Sequence, residues 1–265
     1  MNRTPWRRLD DDRRGGPLFG APPPHQPAIN APSVVLWLIG AIVLAHLMRV
    51  ALPIETSTRL IFDFGFIPAR LTQGVAGAED LFTLPEPLGG LATFLTYAML
   101  HGDLMHLGFN SVWLLAFGAP VARRLGDARF MALFCICAVG GAVLHLVMNM
   151  DGVIPVVGAS GAIAGLMGAA ARFMFSQRQV GLLGWPSSAP VPLAPLTDQR
   201  VMGFVAIWVL LNLVMGVIGF GGPGEAKLIA WEAHLGGFFS GLLAMPLFDP
   251  YRPYGAGGGW RGFGR

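Results

Sequence analysis

The sequence predicts an all-α, polytopic membrane protein, a bundle of six transmembrane helices, and three observations carry that expectation. The 265 residues are 54% hydrophobic and only 12% charged, about half the roughly 25% charge of an ordinary soluble domain. Uncharged apolar runs recur along the chain, each near the roughly 20 residues that a bilayer span requires. Basic residues gather between these runs and in the tails, which is where topology places them.

The first run covers 33–53. It follows a charged, proline-rich lead containing Arg7-Arg8 and Arg13-Arg14. The lead lacks a short cleavable apolar region before a small-residue site, so it does not read as a signal peptide. Residues 1–32 are expected to form a disordered cytoplasmic segment. The longest connection runs from Ile54 to about Gly102. Pro53, Pro68, Pro85 and Pro87 break it, while the apolar stretch Leu60 to Ile67 is expected to keep it on or partly in the membrane. Further runs at 103–122, 128–149, 157–176, 201–220 and 231–248 complete a membrane domain over 33–249. The Gly- and Arg-rich tail, 250–265, reads as a second disordered cytoplasmic segment.

The basic residues set an orientation. Fourteen fall in the lead, the second-to-third turn, the fourth-to-fifth connection and the tail; four (Arg49, Arg59, Arg70, Lys227) fall on the other side. By the positive-inside rule both termini are expected in the cytoplasm. The sequence pI of 9.3 is thus explained by topology, and no nucleic-acid partner is expected. Spans two, four and six then run from outside to inside. Ser160, His234, His106 and Asn110, all near the starts of those spans, are expected to share one outer-leaflet layer.

Polar groups at membrane depth are costly and mark functional sites or cavities. Ser160, in Gly158-Ala159-Ser160-Gly161, heads a run without charge, Ala162 to Ala171. A serine hydroxyl becomes a useful nucleophile when a base accepts its proton, and the imidazole of His234 suits that task. Gly161, Gly165 and Gly168 on span four, and Gly237 and Gly241 on span six, give the small faces that let membrane helices approach closely. His234, Gly237 and Gly241 fall at i, i+3 and i+7 and so share one face. Packing alone would explain those glycines; the serine and histidine on the same faces add chemistry to them. A helix start at Ser160 offers unpaired backbone N–H groups to an oxyanion. His106 and Asn110, at i and i+4, project from one face of span two and could add side-chain donors, or could simply tie the bundle together. Glu232, two residues from His234, faces elsewhere on a helix, so a dyad is expected rather than a triad.

The other polar residues receive plainer readings. His46 and His145 are expected to bond neighbouring helices or line a small cavity, Asn212 to make an interhelical bond, and His101 to support the site from the mouth of span two. His101 and His106 stand at i, i+5 on different faces, and no HExxH pattern occurs, so no metal is expected. Cys135 and Cys137 point to different helix faces and read as packing residues rather than a disulfide. Gly158-x-Ser160-Gly161 is not the G-x-S-x-G elbow of soluble hydrolases, because Ala162 takes the last place.

Taken together, Gly158-Ala159-Ser160-Gly161, Ala233-His234 with Gly237, and His106-x-x-x-Asn110 resemble the three signatures of the rhomboid intramembrane serine proteases. The likeness runs from about Thr93 to Phe248, and the six-span form resembles the basic bacterial type. The resemblance implies a Ser160–His234 dyad and an oxyanion hole of His106, Asn110 and the Ser160 backbone N–H, with Gly158, Gly161 and Gly237 in support. It implies no cofactor, single-span transmembrane proteins in the lipid bilayer as substrates, and a plasma (inner) membrane location. Two features depart from the family's pattern. No Trp-Arg pair occurs in the first loop. Ala164 stands one turn after the serine, where several relatives carry an aromatic ring on the histidine, so His234 is expected to rely on contacts such as Trp231 or Phe238. The competing readings are a rhomboid-like pseudoprotease that binds clients uncut, and a small transporter, for which the half-to-half symmetry of many transporters is missing.

Overall fold

Six principal helices form along the chain in a computed structural model that describes residues 30–73, 88–176, 191–218 and 230–251. They are α1 (Ser33–Val50), the composite α5 (Leu104–Trp113) and α6 (Ala119–Leu125), α7 (Asp127–Met148), α8 (Ser160–Met174), α9 (Gln199–Ile218) and α10 (Trp231–Phe248). The expected runs coincide with these helices to within a few residues. Almost all of the lead 1–32 and the tail 250–265, for which disorder is expected, lies outside the described residues.

The described parts of the connection after α1 are largely helical; Pro85 and Pro87 lie outside the described residues. The connection holds α2 (Ile54–Phe64), the short α3 (Pro68–Thr72) and α4 (Leu88–Thr96), which runs into a 3₁₀ turn at Tyr97–Met99. Pro53 caps α2 and Pro68 opens α3, so two of the expected breakers act as helix starts, where the missing proline N–H costs nothing. Among the described residues there is no β-sheet. A single antiparallel bridge joins Phe66 to Val156 through two N–H···O bonds of 2.9 Å, tying this connection to the segment before α8.

Helices α1 and α7 each bury one face at helical spacing. On α1, Val35, Leu38, Ile42, His46 and Arg49 are buried at steps of three and four, while Trp37, Leu44 and Met48 stand exposed on the other side. Exposed apolar side chains cost nothing against lipid. Helix α7 repeats the pattern with Phe130, Leu133, Phe134, Cys137, Ala138, Gly141 and Ala142. Four helical stretches are long and apolar enough to cross a membrane by length and composition: Ser33–Val50, Leu104–Leu125, Asp127–Met148 and Gln199–Gly216. Helix α8 is different. Eleven of its 15 residues are buried, and a helix largely walled in by protein need be neither as long nor as apolar as one facing lipid.

Helices α7, α8 and α10 form the centre, and glycine sets their spacing. A Cβ on Gly241 would strike the Gly165 carbonyl, one on Gly168 the Phe238 carbonyl, and one on Gly236 the Gly140 carbonyl. Backbones pack directly on backbones along these seams. Cys137 is buried against Gly165, and both cysteines are free, in keeping with their packing role.

Local breaks in the ladder are satisfied by side chains. Pro246 inside α10 has no N–H to give the Leu242 carbonyl, and Arg172 Nη1 supplies the missing bond at 3.0 Å. Its Nε donates to the Ala194 carbonyl at 2.9 Å. Where α6 and α10 end, Arg124 and Asp249 form a forked pair, Nε to Oδ1 at 3.0 Å and Nη2 to Oδ2 at 2.8 Å.

Candidate active site

The segment entering α8 is shaped before any catalytic side chain is considered. The Val156 bridge fixes its start, and the Gly158 N–H donates to the Tyr97 carbonyl at 2.9 Å. Gly158 takes φ +122°, a backbone state that side chains disfavour. A Cβ there would also lie 2.7 Å from Cε1 and Nε2 of His106. Glycine is required twice at this position, once for the turn and once so that the His106 ring can lie against it. Tyr97 is itself buried and donates its hydroxyl to the Ala138 carbonyl at 2.9 Å, so the support reaches back to α7.

Ser160 is the first residue of α8, and Ala159 at the cap offers no side-chain acceptor. The first N–H groups of a helix have no partner within it, and here none is taken by a capping side chain. Gly161 permits the close passage of α10: a Cβ would meet the Tyr97 hydroxyl at 3.0 Å and the Ala233 carbonyl at 3.2 Å.

His234 lies in the first turn of α10, and its Nε2 is 2.8 Å from Ser160 Oγ. The approach depends on Gly237, whose Cβ would collide with the Gly161 carbonyl. The two residues that sequence pairs across 74 positions are thus in direct contact.

His106 and Asn110 arrive on α5. Asp103 caps that helix, its Oδ1 accepting from the His106 N–H at 2.8 Å, which fixes where the first turn carries His106. Asn110 is buried and donates Nδ2 to the His106 carbonyl at 2.9 Å. An amide nitrogen carries two hydrogens, so this bond uses only one of them. The His101 ring stands 5.1 Å from that of His106, centroid to centroid. Its backbone carbonyl accepts from His46 Nδ1 at 3.1 Å and Arg49 Nη2 at 2.8 Å, so the mouth of α5 is moored to α1. His46 and His145 bond neighbouring segments, His145 Nδ1 lying 3.5 Å from Glu232 Oε2. Glu232 on α10 therefore pairs with His145 of α7.

Two residues matter more here than their sequence reading implied. Arg49 reads as an outer-side cation, yet it is buried and also donates Nη1 to Ser57 Oγ at 2.7 Å. Asn212 makes the expected interhelical bond, but to the histidine itself: its Oδ1 is 3.0 Å from His234 Nδ1, and its Nδ2 donates to the Trp231 carbonyl at 2.9 Å. Of the contacts expected to steady His234, Trp231 therefore acts through its carbonyl, and Phe238 stacks on Trp208 with centroids 4.1 Å apart. The signal available was a lone amide in the apolar run of α9. Among the described residues, no three His, Cys, Asp or Glu side chains gather to hold a metal.

Similarity to known proteins follows the same stretch of chain. Residues 88–250 match the family model of the Rhomboid domain. The chain is 26% identical to RHOMBOID-like protein 5 of Arabidopsis thaliana over 261 residues, covering 88% of this chain and 77% of that protein. It is 29% identical over 193 residues to Rhomboid protease GlpG of Pectobacterium atrosepticum, covering 70% of this chain and 60% of that protein. With Rhomboid protease GluP of Bacillus subtilis it shares 28% identity over 151 residues, 57% of this chain but 24% of the relative. The chain thus spans from 24% to 77% of these relatives' lengths. With the matched domain covering most of its length and an apolar helical bundle around it, this chain belongs to the rhomboid family of multi-pass membrane proteins.

Proposed function

We propose that this protein is an intramembrane serine endopeptidase that cleaves single-span transmembrane proteins near the outer membrane surface. The observation that carries this reading is the 2.8 Å contact between Ser160 Oγ and His234 Nε2, formed where the unpaired N–H groups of α8 begin. Two relatives bear the name rhomboid protease, which supports the same class.

In the reaction, Ser160 Oγ attacks the carbonyl carbon of the scissile peptide and its proton passes to His234 Nε2. The carbonyl electron pair moves to oxygen, which the first N–H groups of α8, His106 and Asn110 stabilise. The tetrahedral intermediate collapses, the C–N bond breaks, and His234 returns the proton to the leaving amine. Water then attacks the acyl-enzyme. His234 takes a proton from that water and gives it to Ser160 Oγ as the ester bond breaks. No cofactor is needed in any step.

The excess of basic residues in the lead, tail and matching connections supports six spans with both termini in the cytoplasm of a plasma (inner) membrane protein. The reacting layer then lies in the outer leaflet. The test is a membrane-tethered reporter presented to wild type, Ser160→Ala and His234→Ala. Cleavage by wild type alone is expected, and full cleavage by either variant overturns the assignment. A rhomboid-like pseudoprotease would bind the reporter uncut and leave Ser160 unlabelled by a fluorophosphonate.

A further inference from the structure

We propose that Asn212 is the positioning residue of this site: it fixes the tautomer and ring orientation of His234 so that Nε2 faces Ser160. The proposal rests on the Ser160–His234 reading above and adds a third member to it.

The bonds of Asn212 leave little freedom. Its Nδ2 donates to the Trp231 carbonyl at 2.9 Å, which turns Oδ1, an acceptor only, toward His234 Nδ1 at 3.0 Å. Nδ1 must then carry the hydrogen. A neutral imidazole has one N–H, so Nε2 is left as the acceptor, and Nε2 is the atom 2.8 Å from Ser160 Oγ. The Trp231 carbonyl thereby selects the amide orientation, the amide selects the tautomer, and the tautomer makes His234 a base toward serine. When Nε2 takes the serine proton, Oδ1 already faces the N–H whose positive charge grows.

Packing sets the same geometry. Trp208 and Asn212 stand at i, i+4 on α9, and Phe238 and His234 stand at i+4, i on α10, so matching faces meet. Trp208 stacks on Phe238 with centroids 4.1 Å apart and planes 12° apart, which sets the rotation of α9 against α10. One turn away that rotation delivers Asn212 to His234. Asn212 is buried although most of the large side chains around it on α9, Ile207, Leu210 and Leu211 among them, are exposed.

Loss of a carboxylate partner from a serine-protease histidine costs about 10⁴ in kcat. A neutral amide stabilises the imidazolium less, so a smaller loss is expected. Asn212→Leu should lower kcat on the membrane-tethered reporter by about 10- to 100-fold, with KM within twofold and the thermal midpoint within a few degrees. Asn212→Asp, which keeps an oxygen at Nδ1, should recover most of the rate. Should Asn212→Leu not fold, Asn212→Ala makes the same comparison. A kcat for the Leu variant within twofold of wild type would overturn the proposal. So would parallel losses of rate and thermal midpoint in both variants, because a plain helix tie predicts that pattern. Wild-type cleavage abolished by Ser160→Ala, measured alongside, keeps the two readings apart: an inert wild type removes both, whereas an active wild type with an indifferent Asn212 removes only this one.

Discussion

Gly237 of α10 faces the Gly161 carbonyl of α8 with no room for a Cβ between them. The contact between Ser160 and His234 depends on that closeness, because both catalytic candidates sit one turn or less from the seam. Gly237→Val should force the helices apart. Overpacking of this kind costs about 1–3 kcal/mol, and a misplacement of about 1 Å can cost about 100-fold in rate. The thermal midpoint should fall, and reporter cleavage should drop by about two orders of magnitude well below that midpoint. Gly203→Ala on α9 is the control, since its Cβ would meet nothing within 4 Å. It should leave cleavage unchanged and stabilise slightly, by up to about 1 kcal/mol.

Gly158→Ala separates shape from stability. The alanine would have to adopt φ +122° with its Cβ 2.7 Å from the His106 ring. Strained backbone states of this sort cost about 1–3 kcal/mol, which a bundle with a large buried centre survives. The His106 ring cannot keep its place, however. Cleavage should be nearly abolished while the fold, followed by thermal melting in detergent, persists with a lowered midpoint.

Much of this fold was legible because apolar run length is a property of the sequence alone, and the helices fall where those runs do. The Ser160–His234 meeting was legible for a related reason: topology put both at the same ends of parallel helices, and the glycine faces said those helices touch. Asn212 was not assigned in this way. Helix α9 is apolar all round, so hydropathy does not fix its rotation, and the amide's partner depends on that rotation. The anchoring role of Arg49 was not legible because charge counting assigns a residue to a side of the membrane and says nothing of whether its guanidinium is buried. Its three acceptors come from α2 and the turn before α5, and such long-range partners leave no mark in local sequence.

That burial makes Arg49 a test of how the mouth of α5 is held. Its guanidinium binds Ser57 Oγ and the His101 and Gly102 carbonyls. Arg49→Met would leave Ser57 and Gly102 without it, while His101 would keep the bond from His46. A buried polar group stripped of its partner costs about 1–3 kcal/mol. Arg49→Met should therefore lower stability by about 2 kcal/mol. Combining it with His46→Ala should cost more than the sum of the two singles, because the pair shares the His101 carbonyl.

The pair Arg124 and Asp249 predicts the opposite separation, stability without catalysis. Its side chains are 8% and 2% exposed and meet at 2.8 Å. Arg124 is further occupied by the Val191 carbonyl at 2.8 Å and by the faces of Phe173 and Tyr251. Breaking a buried, forked pair by removing one partner typically costs about 3–5 kcal/mol, because the other charge is left uncompensated. Asp249→Asn keeps the shape and removes the charge, so the midpoint should fall steeply. Arg124→Met together with Asp249→Leu should recover part of that loss, since no orphan charge remains. Asp249 lies fifteen residues along α10 from His234, roughly 22 Å at the rise of a helix. Neither the Ser160–His234 contact nor the Asn212 bond involves that end. Below the lowered midpoint, kcat and KM on the reporter should both match wild type, and a fall in kcat there would mean that the two ends of α10 are coupled.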